Sequence, residues 1–225
     1  SYSRKNIGYL LAMRGNSDVI IDSDDDNIPG KNFFLNFSEK QKFLKLHDKG
    51  WVNIYKYFDK KKKIIWPRGF PLDEIKKNSN FNGKIISADL PVQQYLTNGD
   101  PDVDAIHRML IGKKNFKFLK KLPLGIGKKS FVPFNSQNTR WFKKSFPLMY
   151  LPSTCSFRST DIFRSFIALR ILHANNLHLG YFSASNRQLR NVHDLKKDFS
   201  DEIEIYRDSK KMVKILYETK IPAGE

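Results

Sequence analysis

The chain holds one cysteine, Cys155, and five histidines in 225 residues. A single thiol excludes an intrachain disulfide, and without a cysteine pair the histidines cannot build a zinc finger of the usual spacing. Any metal is therefore held by oxygen, with at most an imidazole beside it. No apolar run approaches the roughly 18 residues of a membrane span, so no transmembrane segment is expected in this stretch. Negative charge is the scarcer sign, with 23 Asp and Glu against 40 Lys and Arg and a formal net charge of +17.

What is abundant is apolar and basic. A hydrophobic content of 40%, including 18 Phe, is enough to bury the core of one globular domain spanning 1–225. A pI near 9.8 raises nucleic-acid binding, and aromatics do lie among lysines at 56–60 and 115–118. But 29 of the 40 basic residues are Lys, set mostly in loop-like runs that read as solvated faces. The arginines differ: Arg4, Arg68, Arg140, Arg158, Arg164, Arg187 and Arg190 lie beside the motifs below. A planar fork suits phosphate or carboxylate, so an anionic small molecule is the expected ligand and nucleic acid is not.

Against that basic background, Val19-Ile20-Ile21 runs into Asp22, Asp24, Asp25 and Asp26. Four carboxylates in five positions, with no Lys or Arg among them, repel one another unless a cation or water relieves them. Alternation along an extended backbone points Asp24 and Asp26 the same way, toward one hard divalent ion, and Asp25 elsewhere. A solvated turn is the plain alternative, since Asp and Asn favour turns.

Helices and strands alternate along the chain, which argues for an α/β sheet fold. Residues 3–14 read as a helix bearing Ile7, Leu10 and Leu11, ended by Gly15-Asn16. Ser38 and Gln41 form a capping-box pattern predicting a helix to Gly50, and 51–58 reads as a strand. Residues 66–71, Trp-Pro-Arg-Gly-Phe-Pro, must be a shaped loop. Asp100-Pro101 predicts a helix start running to Leu110, and 112–130 reads as a basic connecting loop. Its Gly125-Ile126-Gly127-Lys128 lacks the spacing of a phosphate loop. A helix from Thr160-Asp161 buries Ile162, Phe163, Phe166, Leu169 and Leu172, and a strand covers 179–182. A peripheral amphipathic helix, with Ile203, Tyr206, Val213 and Tyr217, is expected within 195–225. The chain opens on Ser1 rather than Met, in a helical pattern, so a preceding segment is expected.

The order of motifs carries a resemblance. Ser3-Arg4-Lys5-Asn6-Ile7-Gly8-Tyr9, the strand ending Asp24-Asp25-Asp26-Asn27, residues 66–71, residues 99–106, residues 133–139 and the stretch from Leu151-Pro152 through 156–162 follow in sequence. The first pair resembles the entry to the Asp-x-Asp strand of GT-A nucleotide-sugar glycosyltransferases. The whole series, over about 1–194, resembles the STELLO family of plant Golgi proteins and their relatives, regarded as probable glycosyltransferases. A fainter likeness is to the reversibly glycosylated polypeptides, which are sugar-nucleotide mutases.

The resemblance implies a GT-A-like mixed sheet flanked by helices, without the N-terminal strands that hold the nucleotide base. It implies a metal-dependent transfer of sugar from a UDP- or GDP-sugar to a glycan or other hydroxyl acceptor. A mutase, or a non-catalytic scaffold that recruits a polysaccharide synthase, is the alternative. It also implies Mn²⁺ or Mg²⁺ on Asp24, Asp26 and His193, with Asp22, Asp25, Arg4, Asn6, Arg158 and Arg164 around the donor. Asp161 is the expected base, although a carboxylate at a helix start also complements the helix dipole. Trp66 and Arg68 are expected on a sugar, with Asp102, Asp104, Asn135, Gln137 and Asn138 on hydroxyls; capping also explains Asp100 and Asp102. His107, His173 and His178 are expected to be structural. A Golgi membrane location is implied for a eukaryotic member, a cytoplasmic one otherwise.

Overall fold

The computed structural model describes residues 2–35, 37–47, 50–59, 64–112 and 115–221. Among the described residues, ten strands and five α-helices follow one another as α1 (Lys5–Arg14), β1 (Val19–Ser23), β2 (Asn27–Pro29), β3 (Lys40–Leu46), β4 (Gly50–Trp51), α2 (Ile54–Phe58), β5 (Gly83–Asp89) and β6 (Val92–Gly99). Then come α3 (Ala105–Ile111), β7 (Leu124–Ile126), β8 (Ser130–Phe131), β9 (Asn138–Phe142), α4 (Thr160–Ala174), β10 (Leu179–Gln188) and α5 (Leu195–Glu218). The main sheet runs β1-β9-β6-β10-β7-β3-β5, and β2 pairs with the far half of β10. The β6–β10 and β3–β7 pairs are parallel and the other main-sheet pairs antiparallel. This mixed sheet flanked by helices is consistent with a GT-A-like fold. Among the described residues no helix is long and apolar enough to cross a membrane.

β6 and β9 carry the core. β9 is buried at every position, including Trp141 and Arg140, and β6 at all but two. Strands covered on both faces lose the clean polar–apolar alternation, and neither β6 nor β9 was legible as a strand. α4 buries Ile162, Phe166, Leu169 and Leu172 as its periodicity predicts, with Phe163 half-buried.

Four segments correct the expectations. Residues 40–46 form a strand between β5 and β7, not a capped helix. Gln41 does reach back to the Ser38 carbonyl (2.7 Å), but Phe43 lies over Gly125 of β7, where a Cβ would meet its ring at 2.1 Å. Sheet pairing and that aromatic contact override the local helix signal. The expected strand over 51–58 is a two-residue strand and then helix α2. The helix expected from Asp100 begins at Ala105 instead: Asp104 caps it, accepting from the His107 amide at 2.7 Å. Of the basic loop 112–130, the described part includes core strand β7.

The ends of the expected helical pattern differ as well. Asn16, rather than Gly15, takes the left-handed conformation (φ 54°) after α1. Ile7, Leu10 and Leu11 are exposed, and Tyr9 is the buried residue of that helix.

Candidate active site

Parallel strands β6 and β10 end side by side at Gly99 and Gln188, and ligands of α/β sheets gather beyond such ends. A cleft of about 460 Å³ lies there. Into it come the turn after β1, the 66–71 loop, the start of α4 and the segment between β10 and α5.

The acidic stretch is a turn, not an extended run. β1 stops at Ser23, and the Asn27 amide donates to the Asp24 carbonyl (3.3 Å), closing a four-residue turn before β2. Strand alternation therefore does not separate the carboxylates, and Asp24, Asp25 and Asp26 all line the cleft. Asp26 is oriented by a relay: Gln188 Nε2 donates to both its oxygens (2.9 and 3.0 Å), and Gln137 donates to Gln188 (2.6 Å). Asp24 has Lys5 at 3.4 Å, yet burial outweighs that cation and pushes its carboxyl up to about 6. Asp22 lies beneath, buried against Tyr9 (2.6 Å), Lys5 (2.9 Å) and Arg164 (3.5 Å).

The floor is an ion-pair lattice centred on Arg68. Gly69, at φ 86° and with no room for a Cβ beside Ile162, turns the loop so that Arg68 points inward. Arg68 donates to Asp102 through Nε (2.9 Å) and Nη2 (2.8 Å), and to Asp161 through Nη1 and Nη2 (3.0 Å each). The Ser136 amide adds a donor to Asp161 (3.1 Å), and Asn135 adds one to Asp102 (2.8 Å). Burial favours a neutral Asp102, but Arg68 overrides it and holds that carboxyl well below the usual range. Arg158 is paired with Glu202 of α5 (2.7 Å) and lies 3.8 Å from Asp198, which in turn faces His193 Nδ1 at 3.1 Å.

Of the residues expected at the site, the cleft gathers Asp24, Asp25, Asp26, Arg68, Asp102, Gln137, Arg158, Asp161 and His193. Others lie outside its lining. Trp66 is buried and donates to Asp104 (2.6 Å), itself fully buried as the α3 cap. Asn6 exchanges hydrogen bonds with the Leu151 backbone (2.9 Å each), and Asn138 donates within the sheet to Asn186 (2.9 Å). Arg164 is buried over Trp141 and donates to Ser136 (3.0 Å), while Arg4 is exposed on the turn before α1.

The cleft also contains residues that the motifs did not single out: Tyr2, Lys5, Ser23, Phe157, Gln188, Arg190 and Asn191. Lys5 and Phe157 fall inside quoted segments, and Arg190 is one of the arginines lying beside the motifs, so position was a signal for them. Glu202 and Asp198 had a subtler one. They fall on the helical stripe 198, 202, 205, 209, 213 that α5 buries, two carboxylates on an otherwise inward face.

Comparison with known proteins shows what this chain is similar to. The family model described as STELLO glycosyltransferases matches residues 158–224, the segment holding α4, β10 and α5. The chain is 24% identical over 236 aligned residues, 96% of its length, to "Probable glycosyltransferase STELLO2" of Arabidopsis thaliana. It is 27% identical over 192 residues, 76% of its length, to "Probable glycosyltransferase STELLO1" of the same plant. It spans 30% and 25% of the length of those two relatives. The STELLO likeness expected from the motifs is shown by these matches.

Proposed function

We propose that this STELLO-like chain carries the cleft of a metal-dependent glycosyltransferase, which moves a sugar from a UDP- or GDP-sugar to a hydroxyl of a glycan acceptor. The observation that carries the reading is the meeting, beyond the ends of β6 and β10, of the Asp24–Asp26 turn with His193, Asp161 and Arg68 in one cleft.

The donor set fits a hard divalent ion, Mn²⁺ or Mg²⁺. Among the described residues no three His, Cys, Asp or Glu side chains form a preformed cage. One or two carboxylates completed by substrate phosphates and water is the usual arrangement for such ions. Asp24, and Asp26 fixed by Gln188, would hold it, with His193 on the same cleft. When bound, the ion would act as a Lewis acid on the donor diphosphate.

The rest falls to the chain's own groups. Asp161 is anchored by Arg68 and the Ser136 amide, so its remaining lone pairs are fixed acceptors that orient the incoming hydroxyl and take its proton. The edge-to-face pair Tyr2–Phe157 (centroids 5.0 Å apart), with Phe157 exposed at the cleft, provides the apolar face for a pyranose ring.

Release of sugar from UDP- and GDP-sugars in the presence of Mn²⁺, with a glycan acceptor, tests the reading in the wild type and in Asp26→Ala. Turnover lost in the variant while its fold is retained supports it. Equal turnover in both, or none in the wild type, rejects it.

A further inference from the structure

Arg190 differs from the other arginines at this end of the sheet. Arg68 is neutralised by Asp102 and Asp161, Arg158 by Glu202, and Arg108 by Asp100 (2.5 Å). Arg190 lines the same cleft, and among the described residues no carboxylate lies within 4.0 Å of its guanidinium. Its Nε is shut off from water and without a hydrogen-bond partner. Burial, and after it the neighbouring cations Arg108 and Arg158, outweigh the pull of Asp102 and Asp100 and push its pKa down to about 10, so it still carries its charge at pH 7. A desolvated cation beside two like charges is unfavourable unless an anion faces it.

We propose that Arg190 is the anion-binding residue of the cleft and grips the phosphate groups of the donor. Its planar fork matches two phosphate oxygens, and Asn191, next to it in the cleft, offers an amide donor. The aspartate turn on the same cleft would repel a bare diphosphate, so the two sides divide the work: the carboxylates act through a cation and Arg190 acts directly.

The inference deepens the glycosyltransferase reading and rests on it for the identity of the anion. During transfer the bond from the anomeric carbon to the phosphate oxygen breaks and its electron pair stays on the diphosphate. The acceptor oxygen bonds to that carbon, and the acceptor's proton leaves to a base. The departing nucleoside diphosphate thereby gains one negative charge, which a facing guanidinium stabilises.

Calorimetric titration of the full chain with UDP, GDP and inorganic pyrophosphate, each with and without Mn²⁺, tests this in wild type, Arg190→Gln and Arg190→Lys. Arg190→Gln is expected to weaken diphosphate binding by about ten- to hundredfold, and Arg190→Lys by less. The thermal midpoint of Arg190→Gln is expected to stay level or rise, because the change removes a cation from beside Arg108 and Arg158. Nucleoside diphosphate binding indifferent to Arg190 would overturn the inference and leave the nucleotide-sugar reading intact. Pyrophosphate binding that depends on Arg190, with no nucleoside diphosphate bound, would keep the anion site and reject that reading. Binding of none of the three would overturn both.

Discussion

With Nε and Nη2 on Asp102 and its terminal nitrogens on Asp161, Arg68 holds together two buried carboxylates that would otherwise repel each other. Removing one member of a buried, hydrogen-bonded ion network typically costs about 3–5 kcal/mol, because the remaining charges stay desolvated. Arg68→Met is expected to lose that much in urea unfolding. Arg68→Lys, which keeps the charge but not the fork, should fall between it and the wild type. Asp104 gives the opposite pattern. It caps α3 and receives the Trp66 indole N–H, but it lies outside the cleft lining. Asp104→Ala is expected to lower stability by about 1–3 kcal/mol and leave Mn²⁺-nucleotide binding unchanged in the same calorimetric titration. Sequence reading weighted Asp102 as a cap and Asp104 as a sugar ligand. The structure assigns capping to Asp104 and puts Asp102 in the cleft, a distinction that two residues of backbone geometry decide.

At the level of elements, α5 joins the cleft to the core. One of its faces puts Glu202 on Arg158, on the Ala105 amide (2.7 Å) and on the Tyr206 hydroxyl (2.6 Å). Further along, the same face packs Ile205 and Val213 with Ile162 and Phe166 of α4. Two substitutions separate the roles. Ile205→Ala is expected to cost about 2–4 kcal/mol without altering ligand affinity in the folded protein. Glu202→Ala is expected to cost about 3–5 kcal/mol and also to tighten binding of the anionic nucleotide, since it leaves Arg158, which lines the cleft, without its countercharge. Denaturant unfolding paired with titration of each variant checks both. The helical period of α5 was legible, but its inward face was not. Ile203 and Tyr206 fit an apolar stripe on paper, whereas Ile203 is exposed and the buried stripe contains Asp198 and Glu202. The Glu202 carboxylate is tolerated inside because Arg158 and the Ala105 amide come to it from distant segments, and no local pattern records that. β3 failed for a related reason, since its pairing partners lie some 40 and 80 residues away.

Across the whole molecule the cleft occupies one end of β10, and a pair of histidines the other. His173 is buried between α4, α5 and β7. Its Nε2 donates to the Ile126 carbonyl (3.3 Å), so Nδ1 accepts from the Tyr217 hydroxyl. His178, just before β10, is also buried, and desolvation pushes both imidazoles down to about 4. Between roughly 6.5 and 4 the unfolded chain binds protons that the folded chain refuses. Their stabilising contribution is therefore complete above about 6.5 and is lost as pH falls toward 4. Asp24 and Asp104, whose buried carboxyls are pushed up to about 6 and about 7, act in the opposite sense over the same range, so the test is a difference: between pH 7.5 and 5 the thermal midpoint of His173→Gln is expected to fall less, or rise more, than that of the wild type.

The sequence by itself determined that the chain is an α/β protein with a disulfide-free core. It also determined that a cluster of aspartates ends its first strand, that α4 starts near Thr160, and that the motif order is STELLO-like. Those features live in composition, period and short spacing. Tertiary structure alone decided that Arg68 joins Asp102 to Asp161, that Gln188 aims Asp26, that Glu202 holds Arg158, and that Arg190 lines the cleft with no carboxylate within 4.0 Å among the described residues. Each of these depends on residues from separate elements meeting at buried charge, and burial sets the energy of such a meeting.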